Sequence, residues 1–240
     1  MSEKANLDST TAILKSAFII VYQILPLVLL TSVWPIATNL IGNFWIVIVI
    51  VWASFFVHMG VFGIINRKIW GTSTSLSSFL RDCWRYGIRI LAFMLCWLLI
   101  CIVIAVGMSR VRLSASSTDT PYPFDPFILS LLLGLSTPFF WFAIAVGLHR
   151  RFFRIFTGIC TFLRIGGRKY PYVICLAFFW FYLSPLLSKL GGFRLFAYGQ
   201  VPFYKTVFTG FFFLIGGVLT TTIVAALILV YKNTGQPLDD

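Results

Sequence analysis

Charged residues are scarce in this chain of 240 residues and are absent from several long stretches. Only 11% of the residues are charged, whereas a soluble domain carries roughly 25%. No charge occurs between Lys15 and Arg67, and the later uncharged stretches are residues 90–109, 126–149, 170–188 and 206–231. About 20 apolar residues cross a bilayer core about 30 Å thick. The sequence therefore predicts an integral membrane protein and excludes a soluble one.

These uncharged stretches divide into six predicted membrane spans. The first is long enough for two crossings, and Pro35, Asn39, Gly42 and Asn43 mark the break between them. The predicted spans are residues 16–36, 44–66, 89–109, 127–149, 171–188 and 206–231. We expect an all-α polytopic protein with six transmembrane helices, in which residues 1–240 form a single membrane domain. The polar start has no small-residue cleavage site, so the first span is predicted to be a retained helix.

Acidic side chains are few, and none lies within a predicted span. The seven acids are Glu3, Asp8, Asp82, Asp119, Asp125, Asp239 and Asp240. A proton or ion relay in a membrane generally needs ionisable residues within the spans. The sequence also lacks a P-loop, an H-E-x-x-H or G-x-S-x-G motif and a C-x-x-C pair. We therefore expect no enzyme activity, no catalytic residue, no metal site and no cofactor.

His58 is the one titratable side chain deep within a predicted span. It lies nine residues before Arg67, or roughly 13 Å along a helix. We expect its ring to form a hydrogen bond with a neighbouring helix. The alternatives are a cofactor-binding role, as an axial ligand to haem or another tetrapyrrole, or a contact to a substrate. His149, beside Arg150 at the membrane edge, is a poor second haem ligand.

The net charge of +12 is concentrated in the loops between the spans. With the N-terminus inside, the inside segments hold 14 Lys and Arg residues and the outside segments hold 5. This bias predicts that both termini are cytoplasmic, and it argues against nucleic acid as a partner. We expect anionic lipid headgroups or a protein partner to contact nine of the inside residues. They are Arg81, Arg85, Arg89, Arg150, Arg151, Arg154, Arg164, Arg168 and Lys169.

Two inside segments resemble each other and indicate an internal repeat. Ser78-Phe79-Leu80-Arg81 and Thr161-Phe162-Leu163-Arg164 each precede a further arginine, a tyrosine and a span, and Ile13-Leu14-Lys15 is a fainter copy. The pattern predicts three helical hairpins, at residues 8–70, 74–154 and 157–233. Residues 76–89 are predicted to form an amphipathic helix in the membrane interface, where Asp82 can pair with Arg85. An ordinary basic flank before each span would explain the same pattern.

Small residues and prolines indicate how the spans pack. Gly217, Thr221 and Ala225 recur every four residues in the sixth span, which predicts close helix packing. Pro26, Pro138 and Pro185 are each expected to bend a helix. The predicted outside loop 189–205 is rich in aromatic residues and could lie on the membrane or contact a neighbouring subunit.

The layout resembles that of uncharacterised six-span bacterial membrane proteins, including the membrane domain attached to some glycerophosphodiester phosphodiesterases. The resemblance lies in the amphipathic opening, the paired spans, Thr137-Pro138-Phe139-Phe140 and the basic stretch Arg168-Lys169-Tyr170-Pro171. It covers most of the chain, without the phosphodiesterase domain, and implies a bacterial inner membrane. None of the phosphodiesterase activity is implied.

The sequence favours a non-enzymatic accessory or structural subunit of a larger membrane complex. It would have protein partners in the membrane and lipid contacts on the cytoplasmic side. A transporter or lipid-handling protein with an apolar path between the hairpins is the main alternative. A haem or pigment carrier that uses His58 is a third.

Overall fold

The computed structural model describes residues 10–31, 44–115, 126–190 and 203–234, and these residues are helical without a strand. The helices are α1 (Thr10–Tyr22), α2 (Leu25–Thr31), α3 (Phe44–Trp70), α4 (Leu76–Ala115), α5 (Pro126–Gly147), α6 (Ile155–Lys169), α7 (Pro171–Leu190) and α8 (Phe203–Asn233). A single 3-10 turn, Phe152–Arg154, precedes α6. Each predicted span falls on one or two of these helices, so the all-helical membrane class is confirmed.

Length and composition identify three helices that can cross a bilayer, within α3, α4 and α8. A fourth span results if α1 and α2 are counted together. The described apolar parts of α5 and α7, Leu131–Gly147 and Pro171–Leu183, are shorter than a full span. Three to four of the six predicted spans are therefore supported directly.

The first predicted span is bent. The axes of α1 and α2 differ by 78° across a break at residues 23 and 24. Pro26, in the first turn of α2, has no N–H to donate to the helix before it, so the chain breaks there. The bend expected at Pro26 is present, and the helix begins at Thr10, earlier than predicted. Residues 32–36 of the predicted span lie outside the described ranges.

Residues 76–89 were predicted to form a separate helix in the interface, but they are the first turns of α4. This helix has 40 residues, or about 60 Å at 1.5 Å per residue, twice the bilayer core. Its start is capped reciprocally: Ser78 N donates to Ser75 Oγ at 3.2 Å, and Ser75 N donates to Ser78 Oγ at 2.9 Å. An amphipathic pattern is the same whether a helix ends or continues into a span, which explains the wrong prediction.

The core lies between α1, α3, α4, α5, α6, α7 and α8, and residues 221–231 of α8 cross its centre almost entirely buried. The chain packs α4 against α3 and α5, and it packs α1 against α8. Glycines permit the closest approach: a Cβ at Gly60 would lie 2.3 Å from Cys83 Sγ, and one at Gly87 would lie 2.3 Å from Phe56 Cδ1. The first and last helices thus contact each other, and α3 and α4 form a tight pair.

Candidate functional site: the basic end of the bundle

Several helix ends meet at one end of the bundle, where uncharged helices give way to charged residues. The ends of α3, α5, α6 and α8 lie here beside the first half of α4. We call this region the basic end. Its residues are Arg67, Lys68, Trp70, Asp82, Arg89, His149, Arg150, Lys169, Tyr231 and Lys232. Their contacts join elements that are far apart in the chain.

Arg67 and Asp82 form a bidentate ion pair between α3 and α4. Arg67 Nε donates to Asp82 Oδ2 at 2.6 Å, and Nη2 donates to Oδ1 at 2.9 Å. The Asp82 side chain is 1% exposed and that of Arg67 is 19% exposed. A Cβ at Gly63 would lie 2.7 Å from the Asp82 Cβ, so the glycine leaves space for the carboxylate. Breaking such a buried pair costs about 3–5 kcal/mol because one charge is left uncompensated.

The predicted pairing of Asp82 with Arg85 is wrong. Asp82 lies on the face of α4 that packs against α3, whereas Arg85 is exposed. Arg67 follows the apolar part of α3 and reaches the carboxylate across the turn that joins the helices. That turn ends α3 with Gly71 at φ +70°, where Thr72 N donates to Arg67 O at 2.9 Å. The turn therefore brings the two charges together.

Arg89 caps the end of α5. Its Nη1 donates to Gly147 O and to Arg150 O, each at 2.9 Å. The last carbonyls of a helix have no partner within the helix, and a cation there also compensates the helix dipole. Arg89 is one of the nine residues predicted to contact headgroups or a partner. It is instead half-buried and directed toward another helix. The apolar residues around it gave no sign of this in the sequence.

Lysines make equivalent bonds at other helix ends. Lys232 Nζ donates to Ile69 O at 2.5 Å and lies 5.2 Å from the centre of the Trp70 ring. Lys68 Nζ donates to Gln23 Oε1 at 3.0 Å, at the break between α1 and α2. Lys169 Nζ approaches Asn233 O at 3.4 Å. Cations from α3, α6 and α8 therefore link the termini of their neighbours.

His149 lies in a buried aromatic cluster in the turn after α5. Its ring stacks on Tyr231, with centroids 4.5 Å apart and an interplanar angle of 7°, and lies 5.8 Å from Trp70. Arg150 Nε donates to Tyr231 Oη at 2.9 Å. Burial, with a smaller contribution from the Arg150 charge, lowers the pKa of His149 to about 3. The imidazole is therefore neutral at physiological pH and serves as a packing group.

This lowered pKa predicts acid sensitivity that depends on His149. The unfolded chain binds a proton near pH 6.5 and the folded chain only near pH 3, so stability falls as the pH drops from about 6.5 toward 3. At pH 5 the loss from this group is about 2 kcal/mol. In H149F the stacked ring remains and the titration is removed. We expect the fall in thermal midpoint in detergent, from pH 7.5 to pH 5, to be smaller for H149F; equal falls would contradict this account.

Most of the other predicted contact residues face outward. Arg81 and Arg85 are exposed on α4, and Arg164, Arg168 and Lys169 are exposed on α6 or at its end. Arg151 and Arg154 are exposed on either side of the 3-10 turn, and Arg150 is partly buried. Arg150, Arg151 and Arg154 all take part in further polar interactions. Arg89, Arg150 and Lys169 thus belong to the basic end, and the other six predicted residues surround it.

The remaining predicted residues lie away from the basic end. His58 is partly buried in α3, and its Nδ1 is 2.8 Å from Ser54 O in the same helix, not bonded to a neighbouring helix as expected. Thr221 and Ala225 are buried in α8, with Thr221 Oγ1 donating to Gly217 O at 2.7 Å, and Gly217 is half-buried. Within the described residues, no group of three or more His, Cys, Asp or Glu could hold a metal ion.

Sequence reasoning missed Arg67, Tyr231 and Lys232 as residues that join helices. Each follows the apolar part of a helix, and such residues are expected in any membrane protein at the lipid headgroups. A signal did exist for Asp82, because it is the one acid in residues 67–112, a segment that holds seven Lys and Arg residues. A lone acid in such a basic segment is a candidate for a buried partner.

Comparisons with protein-family models, curated proteins and solved structures find no match.

Proposed function

We propose that this chain is a non-enzymatic membrane protein that serves as an accessory or structural subunit of a larger membrane complex. The observation that carries this proposal is the set of bonds at the basic end. An ion pair joins α3 to α4, Arg89 joins α4 to the end of α5, and Lys232 joins α8 to the end of α3. Helices held this way favour a fixed scaffold over moving halves.

We further propose six spans, with α5 and α7 crossing the bilayer together with α3, α4, α8 and the bent pair of α1 and α2. Both termini are then cytoplasmic, as the excess of 14 to 5 Lys and Arg residues favours. The bacterial inner membrane follows from the resemblance of the sequence layout. Reporter fusions at residues 72, 118 and 196 would test this topology, since the last two positions must face the opposite side from the first.

The three-hairpin repeat belongs to the same proposal. At corresponding positions of the three segments, an apolar side chain packs into the bundle and a cation is exposed two residues later. The pairs are Ile13 and Lys15, Phe79 and Arg81, and Phe162 and Arg164. The shared orientation supports an internal repeat and would place the start of each hairpin at the basic end.

A transporter with an apolar path is the main rival. Alternating access requires groups of helices to move against each other, and the bonds at the basic end would have to break in each cycle. A carrier of haem or pigment through His58 is the third candidate: its Nδ1 lies 2.8 Å from Ser54 O, which leaves Nε2 as the ring nitrogen for a ligand.

The test is purification from native membranes in a mild detergent, with mass spectrometry of every protein that co-migrates and an absorption spectrum. We expect reproducible protein partners in fixed stoichiometry and no visible absorption band. The D82N variant serves as a control, because partners that depend on a native basic end should be lost with it. A lone protein with bound lipid would overturn the proposal in favour of the transporter, and a Soret band would favour the carrier.

A further inference from the structure

The face of α6 that points away from the bundle has two sides of different chemistry. The bundle covers Ile155, Ile159, Phe162 and Gly166, which recur at helical spacing. Gly158 and Gly166 permit close packing: a Cβ at Gly158 would lie 2.7 Å from Val146 Cγ1, and one at Gly166 would lie 3.2 Å from Val230 Cγ1. The helix is therefore seated firmly on the ends of α5 and α8.

One exposed side of α6 is apolar and is extended by the preceding 3-10 turn. Phe156 is 52% exposed and Phe153 is 91% exposed, and Cys160 is exposed one turn after Phe156. At 100° per residue, Phe156, Cys160 and Leu163 form one strip along the helix. Two phenylalanines exposed this far are unfavourable in water and favourable at a lipid interface.

The other exposed side is basic. Arg164 and Arg168 follow each other by one turn and are exposed, on a strip adjacent to the apolar one. Two nearby hydroxyls do not compete for ligands, because Thr157 Oγ1 donates to Arg154 O and Thr161 Oγ1 donates to Thr157 O. Going round α6, the order is thus bundle, apolar strip and basic strip.

This order fits a helix that lies along a membrane surface. α6 joins the end of α5 to the start of α7, both of which we place as spans, and its 15 residues cover about 22 Å. We infer that α6 and the 3-10 turn form a binding site for anionic phospholipid, in which Phe153 and Phe156 enter the acyl layer and Arg164 and Arg168 bind headgroup phosphates. Arginine suits this role because its guanidinium donates two hydrogen bonds to one phosphate.

This inference requires that the chain is inserted into a bilayer. It does not depend on the proposed function as an accessory subunit. Cys160 provides the probe, because it is exposed on the apolar strip one turn before Arg164. After replacement of the other four cysteines, an environment-sensitive fluorophore on Cys160 reports the local surroundings in proteoliposomes of phosphatidylcholine and phosphatidylglycerol. Spin-labelled lipids with either headgroup, added at equal mole fraction, then quench the fluorophore from within the membrane. A fluorophore on T72C, in the exposed turn between α3 and α4, is the aqueous control.

We expect spin-labelled phosphatidylglycerol to be preferred over spin-labelled phosphatidylcholine at Cys160 by about fivefold or more, since each arginine near an anionic surface contributes about 1 kcal/mol. R164Q/R168Q should abolish the preference, R164K/R168K should keep most of it, and F153S/F156S should increase quenching by aqueous iodide. Equal quenching by both lipids would overturn the inference. A fluorophore open to iodide and insensitive to both lipids would also overturn it and assign this face to a protein. Neither outcome bears on co-purification of partners.

Discussion

D82N is expected to lower the thermal midpoint of the protein in detergent more than any other single conservative substitution at the basic end. The variant keeps the shape of the side chain and removes its charge, so that Arg67 is left without its carboxylate. Truncating one member of a buried pair costs about 3–5 kcal/mol. The midpoint can be measured by size-exclusion chromatography after heating, as the temperature at which half of the monodisperse peak remains.

The double variant R67M/D82L is the matched control for this prediction. Both charges are removed, and two apolar side chains fill the contact between α3 and α4. Replacement of a buried ion pair by well-packed apolar residues is often neutral or stabilising. We expect the double variant to recover most of the midpoint that D82N loses. A midpoint for D82N equal to that of the unsubstituted protein would show that the ion pair does not hold α3 and α4 together.

R89Q is expected to have the second largest effect, because it removes the cap from the end of α5. The guanidinium of Arg89 satisfies two carbonyls, those of Gly147 and Arg150. A hydrogen bond to a charged group contributes about 1.5–3 kcal/mol, so we expect a loss of about 2–4 kcal/mol. The turn between α5 and α6 should loosen, and trypsin should cleave faster after Arg150 or Arg151.

R89K separates the charge of this residue from its geometry. A lysine keeps the cation near the helix end, but its single ammonium group reaches the two carbonyls less well than a planar guanidinium does. We expect a midpoint between those of the unsubstituted protein and R89Q. If the midpoint and the tryptic cleavage rate of R89Q both match those of the unsubstituted protein, Arg89 is not a structural cap.

The sequence was sufficient to predict the all-helical class and the positions of the long apolar helices, because uncharged stretches of about 20 residues have few alternatives to a membrane helix. It failed where the same pattern fits two geometries. The amphipathic residues 76–89 suit a helix in the interface as well as the first turns of a longer one. Gly87 lies within α4, where it admits the ring of Phe56.

The charged contacts of the basic end could not be predicted for a different reason. Neighbours along one helix are visible in a sequence, so Asp82 was paired with Arg85. Its actual partner, Arg67, lies on another helix, and the pairing depends on how closely Gly63 lets α3 approach. Contacts between separate helices depend on packing that a single sequence does not encode locally. The outward-facing arginines needed no such information, because exposure of charge is the default.

The central claim is that the basic end holds the helices in one fixed arrangement. Spin labels on R81C in α4 and T157C in α6, both exposed positions, would measure this by double electron–electron resonance in a cysteine-free background. We predict one narrow distance distribution that is the same in detergent, in lipid nanodiscs and in the complex purified from membranes. Two populations whose ratio changes with these conditions would contradict the claim and indicate the moving halves of a transporter.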